Sequence, residues 1–240
     1  MADSGLDRKN TLRCDFLLLA GVLFLVLTSV AMVFYPGTNH HDNANTHYSF
    51  TRNFFSDLGA TRTYAHHGNT ASSVLFTCAL ALVGIAIIFF AFIHTAIPEK
   101  KRWLSRLGKA SVFFGVVSGV AFIGIAAAPE NVSLGLHELF VEMAFGFLLI
   151  FVAMLAVLQV ADDWGRVYAV ANTCYLVLLA AYVVIIFAGP GINTLNGLQI
   201  QAICQKVIVY ASILNVGIQA FGIRRYLQAG YQAEARLSNS

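Results

Sequence analysis

The sequence predicts an all-α membrane protein, a bundle of six transmembrane helices that forms a single domain over residues 1–240. Of the 240 residues, 58% are hydrophobic and only 11% are charged, whereas a soluble domain carries roughly 25% charged residues. The apolar residues also gather into six runs, each near the ~20 residues that a helix needs to cross a bilayer. These runs lie at about 15–35, 71–97, 110–128, 136–160, 167–189 and 198–222.

Individual residues support the spans in order. The first run, Phe16 to Tyr35, is not followed by a small-residue cleavage site, so we expect a transmembrane helix rather than a signal peptide. The third run is the shortest and is rich in glycine and alanine, which let helix backbones approach closely, so it should lie inside the bundle. His94 in the second run and Asn172 in the fifth are expected to form hydrogen bonds between helices.

Lysine and arginine predict the orientation. Twelve of the fifteen lie before the first span, after the sixth, or in the connections on that same side, and only Arg52 and Arg62 lie in connections on the other side. The positive-inside rule therefore predicts that both termini are cytoplasmic. This topology accounts for the basic cluster, so no nucleic-acid partner is predicted. Pro36, Pro129 and Pro190 open the three outer connections.

The first outer connection, residues 36–70, is long for a segment without structure of its own, and such loops are usually functional or disordered. Two adjacent phenylalanines precede Ser56 and Asp57. They suggest a segment at the membrane interface with Asp57 turned toward the protein. Alternatively, Ser56 or Asp57 is an ordinary helix or turn cap.

A second group of ionisable residues surrounds the start of the fourth span. Ionisable groups at a membrane boundary are costly and need a partner, water or a purpose. Glu138 and Glu142 are four residues apart and share one helix face. Lys206 lies roughly 12 Å inside the sixth span at 1.5 Å per residue, so we predict that it forms an ion pair with Glu142 or shares a wet cavity with it.

These residues predict a polar cavity that opens on the outer side. The candidate catalytic residues are His137, Asp57, Ser56 and Glu138, with Ser56 a nucleophile only if a base lies within hydrogen-bond reach. The candidate substrate-binding residues are Glu130, Glu142, Gln201, Gln205 and Lys206. No metal is predicted, because the histidines lack the spacing of zinc sites. A metal held by His137, Glu138, Asp57 and His66 or His67 is the less favoured alternative.

Two stretches carry a family resemblance: Phe55 to Gly59 after the first span, and Pro129 to His137 before the fourth. In both, the chain resembles domain-of-unknown-function family 998, six-helix membrane proteins of bacteria and archaea. That family is similar to the wider group of damage-regulated autophagy modulators and the GPI-anchor remodelling factor PGAP-two. The resemblance implies a plasma-membrane location, shared outer positions at Ser56, Asp57, His137 and Lys206, and a loose link to lipids. It departs at Gln205-Lys206, where the family pattern has Gln-Arg.

Three function classes fit these residues. The first is binding or processing of a lipid or lipid-linked substrate, with membrane lipids as partners. The second is a structural or assembly role without catalysis. The third is proton- or ion-coupled transport, which needs polar residues past the midplane, where we identify only His94, Asn172 and Asn215. We rank them in that order; the sequence predicts no oligomeric state.

Overall fold

The computed structural model describes residues 3–97, 101–162 and 164–238. Six α-helices account for most of them, and each contains a stretch that is long and apolar enough to cross a membrane. The helices are α1 (Asp3–Phe34), α2 (Thr70–Ile93), α3 (Arg102–Ala127), α4 (Leu134–Asp162), α5 (Arg166–Ala188) and α6 (Leu195–Ser238). No strand forms within the described residues, so the predicted all-α class is confirmed.

Each helix packs against the next one in sequence, and α6 packs against α1 as well, so the bundle closes into a ring. Several helices extend beyond the apolar runs that predicted them, because a helix continues into water wherever its backbone hydrogen bonds continue. α3 begins at Arg102 and α6 at Leu195, whereas α2 ends at Ile93 and continues as a short 3₁₀ helix, His94–Ala96.

The glycine-rich α3 was predicted to lie inside the bundle, but it is a member of the ring, packed against α2 and α4 and no more buried than either. A Cβ at Gly119 would meet the backbone oxygen of Gly84 on α2 at 2.6 Å, so the two backbones are in direct contact at this crossing. Directly after α2 ends, His94 Nε2 lies 2.9 Å from Ser111 Oγ on α3. This contact confirms the predicted interhelical hydrogen bond of His94.

The antiparallel helices α5 and α6 are joined by a series of polar pairs that we call the polar ladder. Asn215 Nδ2 donates to Asn172 Oδ1 at 3.1 Å, and this pair confirms the expected role of Asn172. Polar contacts recur along both helices every one or two turns, in one register. The pairs are Tyr182 with Gln205, Tyr175 with Ser212, Asn172 with Asn215, and the Tyr168 carbonyl with Gln219.

Candidate functional site

The long first connection, residues 35–69, is folded across the end of the bundle that the sequence predicts to be outside. It binds both of the other connections at that end. Thr61 N donates to Asn131 Oδ1, and Asn131 Nδ2 donates to Thr61 Oγ1, each at 2.9 Å. His41 Nε2 donates to the carbonyl of Ile192 at 2.8 Å. The connection is therefore a cover over the outer end, which we call the outer loop.

A 3₁₀ helix, Ser56–Gly59, forms the centre of the outer loop. The preceding Phe55 is buried in the core of the protein, with its ring centroid 6.0 Å from that of Phe24 on α1 and 5.8 Å from that of Tyr210 on α6. The prediction that Asp57 turns toward the protein is confirmed, since Asp57 is 1% exposed. Asp57 takes this orientation because the neighbouring Phe55 is buried in the bundle rather than in the membrane interface.

Helix α2 holds the other side of this short helix. Ser73 Oγ donates to the Gly59 carbonyl at 2.8 Å, and Ser72 Oγ donates to the Leu58 carbonyl at 3.1 Å. A Cβ at Gly59 would lie 2.7 Å from a ring carbon of Phe76, so glycine permits the close approach. The last two residues of the Ser-Asp-Leu-Gly segment, Leu58 and Gly59, therefore pack directly against α2.

Asp57 is held by donors from its own loop. Its Oδ2 accepts hydrogen bonds from Asn53 Nδ2 at 2.6 Å and from Phe54 N at 3.1 Å, and its Oδ1 lies 3.4 Å from the Tyr64 hydroxyl. Burial raises the pKa of Asp57 well above its usual range, and the neighbouring Glu130 raises it further.

Glu130 lies in the connection between α3 and α4, partly exposed, at the edge of the site. Its carboxyl group interacts with the side chains of Asp57 and Ser56, and burial raises its pKa. The two carboxyl groups therefore interact directly, and the pKa of each lies above its usual range. We call Asp57 and Glu130 the carboxyl pair.

Lys206 on α6 is 1% exposed and lies beside this arrangement. Its ammonium donates to the carbonyl oxygens of Asn53 in the outer loop and Ala202 in its own helix. It is also surrounded by three aromatic rings, whose centroids lie 5.2–5.5 Å from Nζ; these belong to Tyr48, Phe50 and Phe55. A cation over aromatic faces is stabilised by the ring quadrupoles, so Lys206 anchors the outer loop to α6.

The predicted ion pair between Glu142 and Lys206 is wrong. Both residues belong to the described part of the chain, where Glu142 is exposed on α4 and no ion pair joins it to Lys206. Glu138, on the same helix face, is exposed as well. The physical reason is that the ammonium finds carbonyl oxygens and rings in the outer loop, and these stabilise it without a carboxylate partner.

The remaining candidates lie around the site without entering its centre. His137 is buried, and its Nδ1 donates to the Ala128 carbonyl at 2.8 Å, which ties the start of α4 to the end of α3. Gln205 Oε1 accepts from Phe55 N, and Gln201 Nε2 donates to the Pro190 carbonyl, each at 2.7 Å. Among these residues, Gln205 alone contacts the loop segment that carries Ser56.

The alternative metal site does not form. His66 and His67 are exposed, and within the described residues no three His, Cys, Asp or Glu side chains are grouped so that they could hold a metal ion. The histidine that faces the bundle, His137, is engaged with a backbone carbonyl instead.

Sequence reasoning missed two features. One is Asn53, which bonds Asp57, the Thr38 carbonyl and Lys206 at once. The signal was its position one turn before Asp57. The other is most of the polar ladder, whose members on α5 and α6 recur with a seven-residue spacing, as at Tyr175 and Tyr182.

Comparison with known proteins returned one family. The model of a family described as "Protein of unknown function (DUF998)" matches residues 18–221. The matched range includes part or all of every helix and the whole outer loop, and therefore both members of the carboxyl pair. No curated protein matches the chain, and no solved structure matches it.

Proposed function

The chain belongs to the DUF998 family of proteins of unknown function, and we propose that it is a membrane enzyme that cleaves or transfers the ester-linked acyl group of a lipid or lipid-linked substrate. One observation carries this proposal. The adjacent, buried residues Ser56 and Asp57 both interact with the carboxyl group of Glu130, at the outer end of a membrane-spanning bundle.

The arrangement has the parts that nucleophilic catalysis requires. A serine hydroxyl is a weak nucleophile unless a base lies within hydrogen-bond reach, and that base is usually oriented by a third group. In this proposal Glu130 is the base for Ser56, and Asp57, which interacts with Glu130, is the group that orients it. A carboxyl group with a raised pKa is a stronger base than an ordinary one, which favours proton abstraction near neutral pH.

The reaction follows from these roles. Ser56 Oγ attacks the ester carbonyl carbon while Glu130 takes the hydroxyl proton. The bond from carbon to the alcohol oxygen then breaks, and Glu130 returns the proton to that oxygen, which releases the alcohol and leaves the acyl group on Ser56. Water, or an acceptor alcohol, gives its proton to Glu130 and attacks the acyl group. Glu130 then protonates Ser56 Oγ as it leaves, which completes hydrolysis or transfer.

A lipid substrate suits the location of the site. The six helices make this an integral membrane protein, and the ester of a membrane lipid lies near the ends of such helices, at the level of Ser56. With the predicted orientation, the substrate comes from the outer leaflet of a plasma membrane.

A structural role is the second candidate, because the same residues hold the outer loop in place. Asn53 joins Asp57 to Lys206, so the carboxyl pair could serve only to fix the loop. Neither chemistry nor water access at Ser56 is needed in that case. Reactivity of the serine therefore distinguishes the two candidates.

The test uses a fluorophosphonate, which reacts with activated serines, on the purified protein in lipid nanodiscs. We expect covalent labelling of Ser56, located by peptide mass spectrometry, and none in Ser56→Ala. Glu130→Gln should slow the labelling at least about 100-fold, the lower range for a general base. Ser133→Ala and Glu138→Gln, matched changes at the same end of α4, should label Ser56 like the wild type.

The structural role predicts a different pattern. Ser56 would stay unlabelled in the folded wild-type protein, while Asp57→Asn and Glu130→Gln would alter the melting temperature. Labelling of Ser56 that is unaffected by Glu130→Gln would also contradict the proposed base.

A further inference from the structure

The centre of the bundle contains a cavity of about 80 Å³. All six helices contribute to its wall, and most of the lining is aliphatic or aromatic. Representative lining residues are Leu17 and Phe24 on α1, Phe90 on α2, Phe145 on α4, and Val209 and Val216 on α6.

The few polar groups in the wall are already paired. The Tyr175 hydroxyl and Ser212 Oγ are 2.7 Å apart, and Ser212 Oγ also lies 2.7 Å from the Ile208 carbonyl. Asn215 Nδ2 donates to Asn172, and Asn215 Oδ1 accepts from Gln219. A cavity without available polar partners stays dry and takes apolar ligands, so this one is suited to hydrocarbon.

The cavity reaches toward Ser56. Phe24 belongs to its wall, and the ring of Phe24 lies 6.0 Å, centroid to centroid, from that of Phe55, the residue before Ser56. The contact between Phe24 and Phe55 therefore joins the cavity wall to the loop segment that carries Ser56.

The shape of the cavity follows the bundle axis. Its lining runs from Phe24 to Leu17 on α1 and from Val209 to Val216 on α6. Seven residues of helix correspond to roughly 10 Å at 1.5 Å per residue. This is a narrow space that extends inward from the level of Phe24, and an alkyl chain has that shape.

We propose that the cavity receives the hydrocarbon chain of the substrate, which makes the substrate a lipid ester whose acyl chain enters the bundle beneath Ser56. The inference rests on the proposed function for the placement of the ester. Its binding part rests on the cavity alone. In the membrane, the available apolar ligand of this shape is an acyl chain. A polar ligand would find no partner, because the polar side chains of the wall are already hydrogen-bonded to one another or to backbone carbonyls.

The experiment compares an ethyl and a dodecyl fluorophosphonate on the protein in nanodiscs. We expect the dodecyl probe to label Ser56 at least about tenfold faster, because burying several methylene groups stabilises its complex. Ala86→Phe, which adds a ring to the cavity wall, should lower the labelling rate of the dodecyl probe to that of the ethyl probe. Val177→Phe, the same kind of addition on the exposed face of α5, should behave as the wild type.

Equal labelling by the two probes in the wild type would overturn the cavity inference and leave the proposed function standing. A second measurement does not require chemistry at Ser56 or folding of Ala86→Phe. Ser56→Ala protein is irradiated in nanodiscs that contain a phosphatidylcholine with a diazirine in its acyl chain. Adducts on lining residues such as Phe145 or Val209 would support the inference even if Ser56 proves unreactive, whereas adducts confined to lipid-facing residues would overturn it.

Discussion

The carboxyl pair with its neighbours in the outer loop, which we call the outer site, buries polar side chains, and so does the polar ladder. The two regions are built from different groups. In the ladder, neutral hydroxyls and amides meet mainly in pairs between two helices, as Asn172 and Asn215 do. At the outer site, ionisable groups converge on one loop, and Asp57 contacts Asn53, Phe54, Tyr64 and Glu130 together.

This difference distinguishes polar groups that are sufficient for helix packing from those that the proposed function requires. Hydrogen bonds between neutral side chains are sufficient to join α5 to α6, and they cost little to bury because each group is satisfied. Buried carboxyl groups are expensive and are rare in membrane bundles unless they have a task. Amide side chains would be sufficient to fix the outer loop, since Asn69 alone donates to three loop carbonyls.

Lys206 gives the largest expected effect, because its charged group contacts both the backbone and three aromatic rings of the outer loop. Lys206→Met removes the donor from two carbonyl oxygens and the cation from three rings. Hydrogen bonds from charged groups contribute roughly 1.5–3 kcal/mol, so we expect a loss of about 3 kcal/mol in folding stability. Hydrogen exchange should rise in residues 38–69 more than in the helices.

The control for this change is Lys206→Arg, which retains a cation at the same position. It should keep the loop amides protected. If Lys206→Met leaves loop exchange unchanged, the loop is held by Phe55 and Asn69 and Lys206 has another role.

The carboxyl pair predicts a pH dependence with an unusual sign. Because folding raises the pKa of Asp57, the folded state binds a proton that the unfolded state releases above about pH 3.9. Stability therefore falls as pH rises from there toward the raised pKa, by up to about 1.4 kcal/mol per pH unit. Asp57→Asn, which stays neutral, should flatten this slope in melting temperatures measured from pH 4 to 8.

The comparison protein is Glu142→Gln, a neutralised carboxylate on the exposed face of α4. Its melting temperature should follow the wild-type slope at every pH. A wild-type slope that persists in Asp57→Asn would show that folding does not raise the pKa of Asp57.

Composition and spacing were sufficient to predict the six helices, because a membrane restricts each span to one long apolar helix. They also predicted that Asp57 faces the protein, since a carboxyl beside two phenylalanines at a boundary has one favourable direction. The contact of Ser56 with Glu130 joins two connections far apart in sequence. No local pattern encodes that distance.

The error at Lys206 has a specific cause. Depth in the span identified a buried charge correctly, and Glu142 lay at a comparable depth on α4. The sequence could not show that the outer loop folds back over α6 and offers the Asn53 carbonyl instead. Backbone acceptors carry no sequence signature, so a cation that is satisfied by them resembles one that still needs a carboxylate.

The polar ladder gives the smallest effect and the sharpest contrast with the outer site. Asn215→Leu leaves Asn172 Oδ1 without its donor, and interhelical hydrogen bonds in membrane proteins average about 0.6 kcal/mol with a maximum near 1.7. We expect a loss of about 1 kcal/mol for either Asn172→Leu or Asn215→Leu. The double variant should lose less than the sum of the two, because it removes both polar groups together. Ser56 labelling by the ethyl fluorophosphonate, which is too short to reach the cavity, should stay at the wild-type rate in all three proteins, since the ladder joins helices away from Ser56. Melting temperatures and labelling rates on the same preparations check both statements.

Strictly additive losses would mean that the two amides do not meet. Slower labelling with an unchanged melting temperature would instead connect the ladder to the outer site and remove the distinction between the two regions.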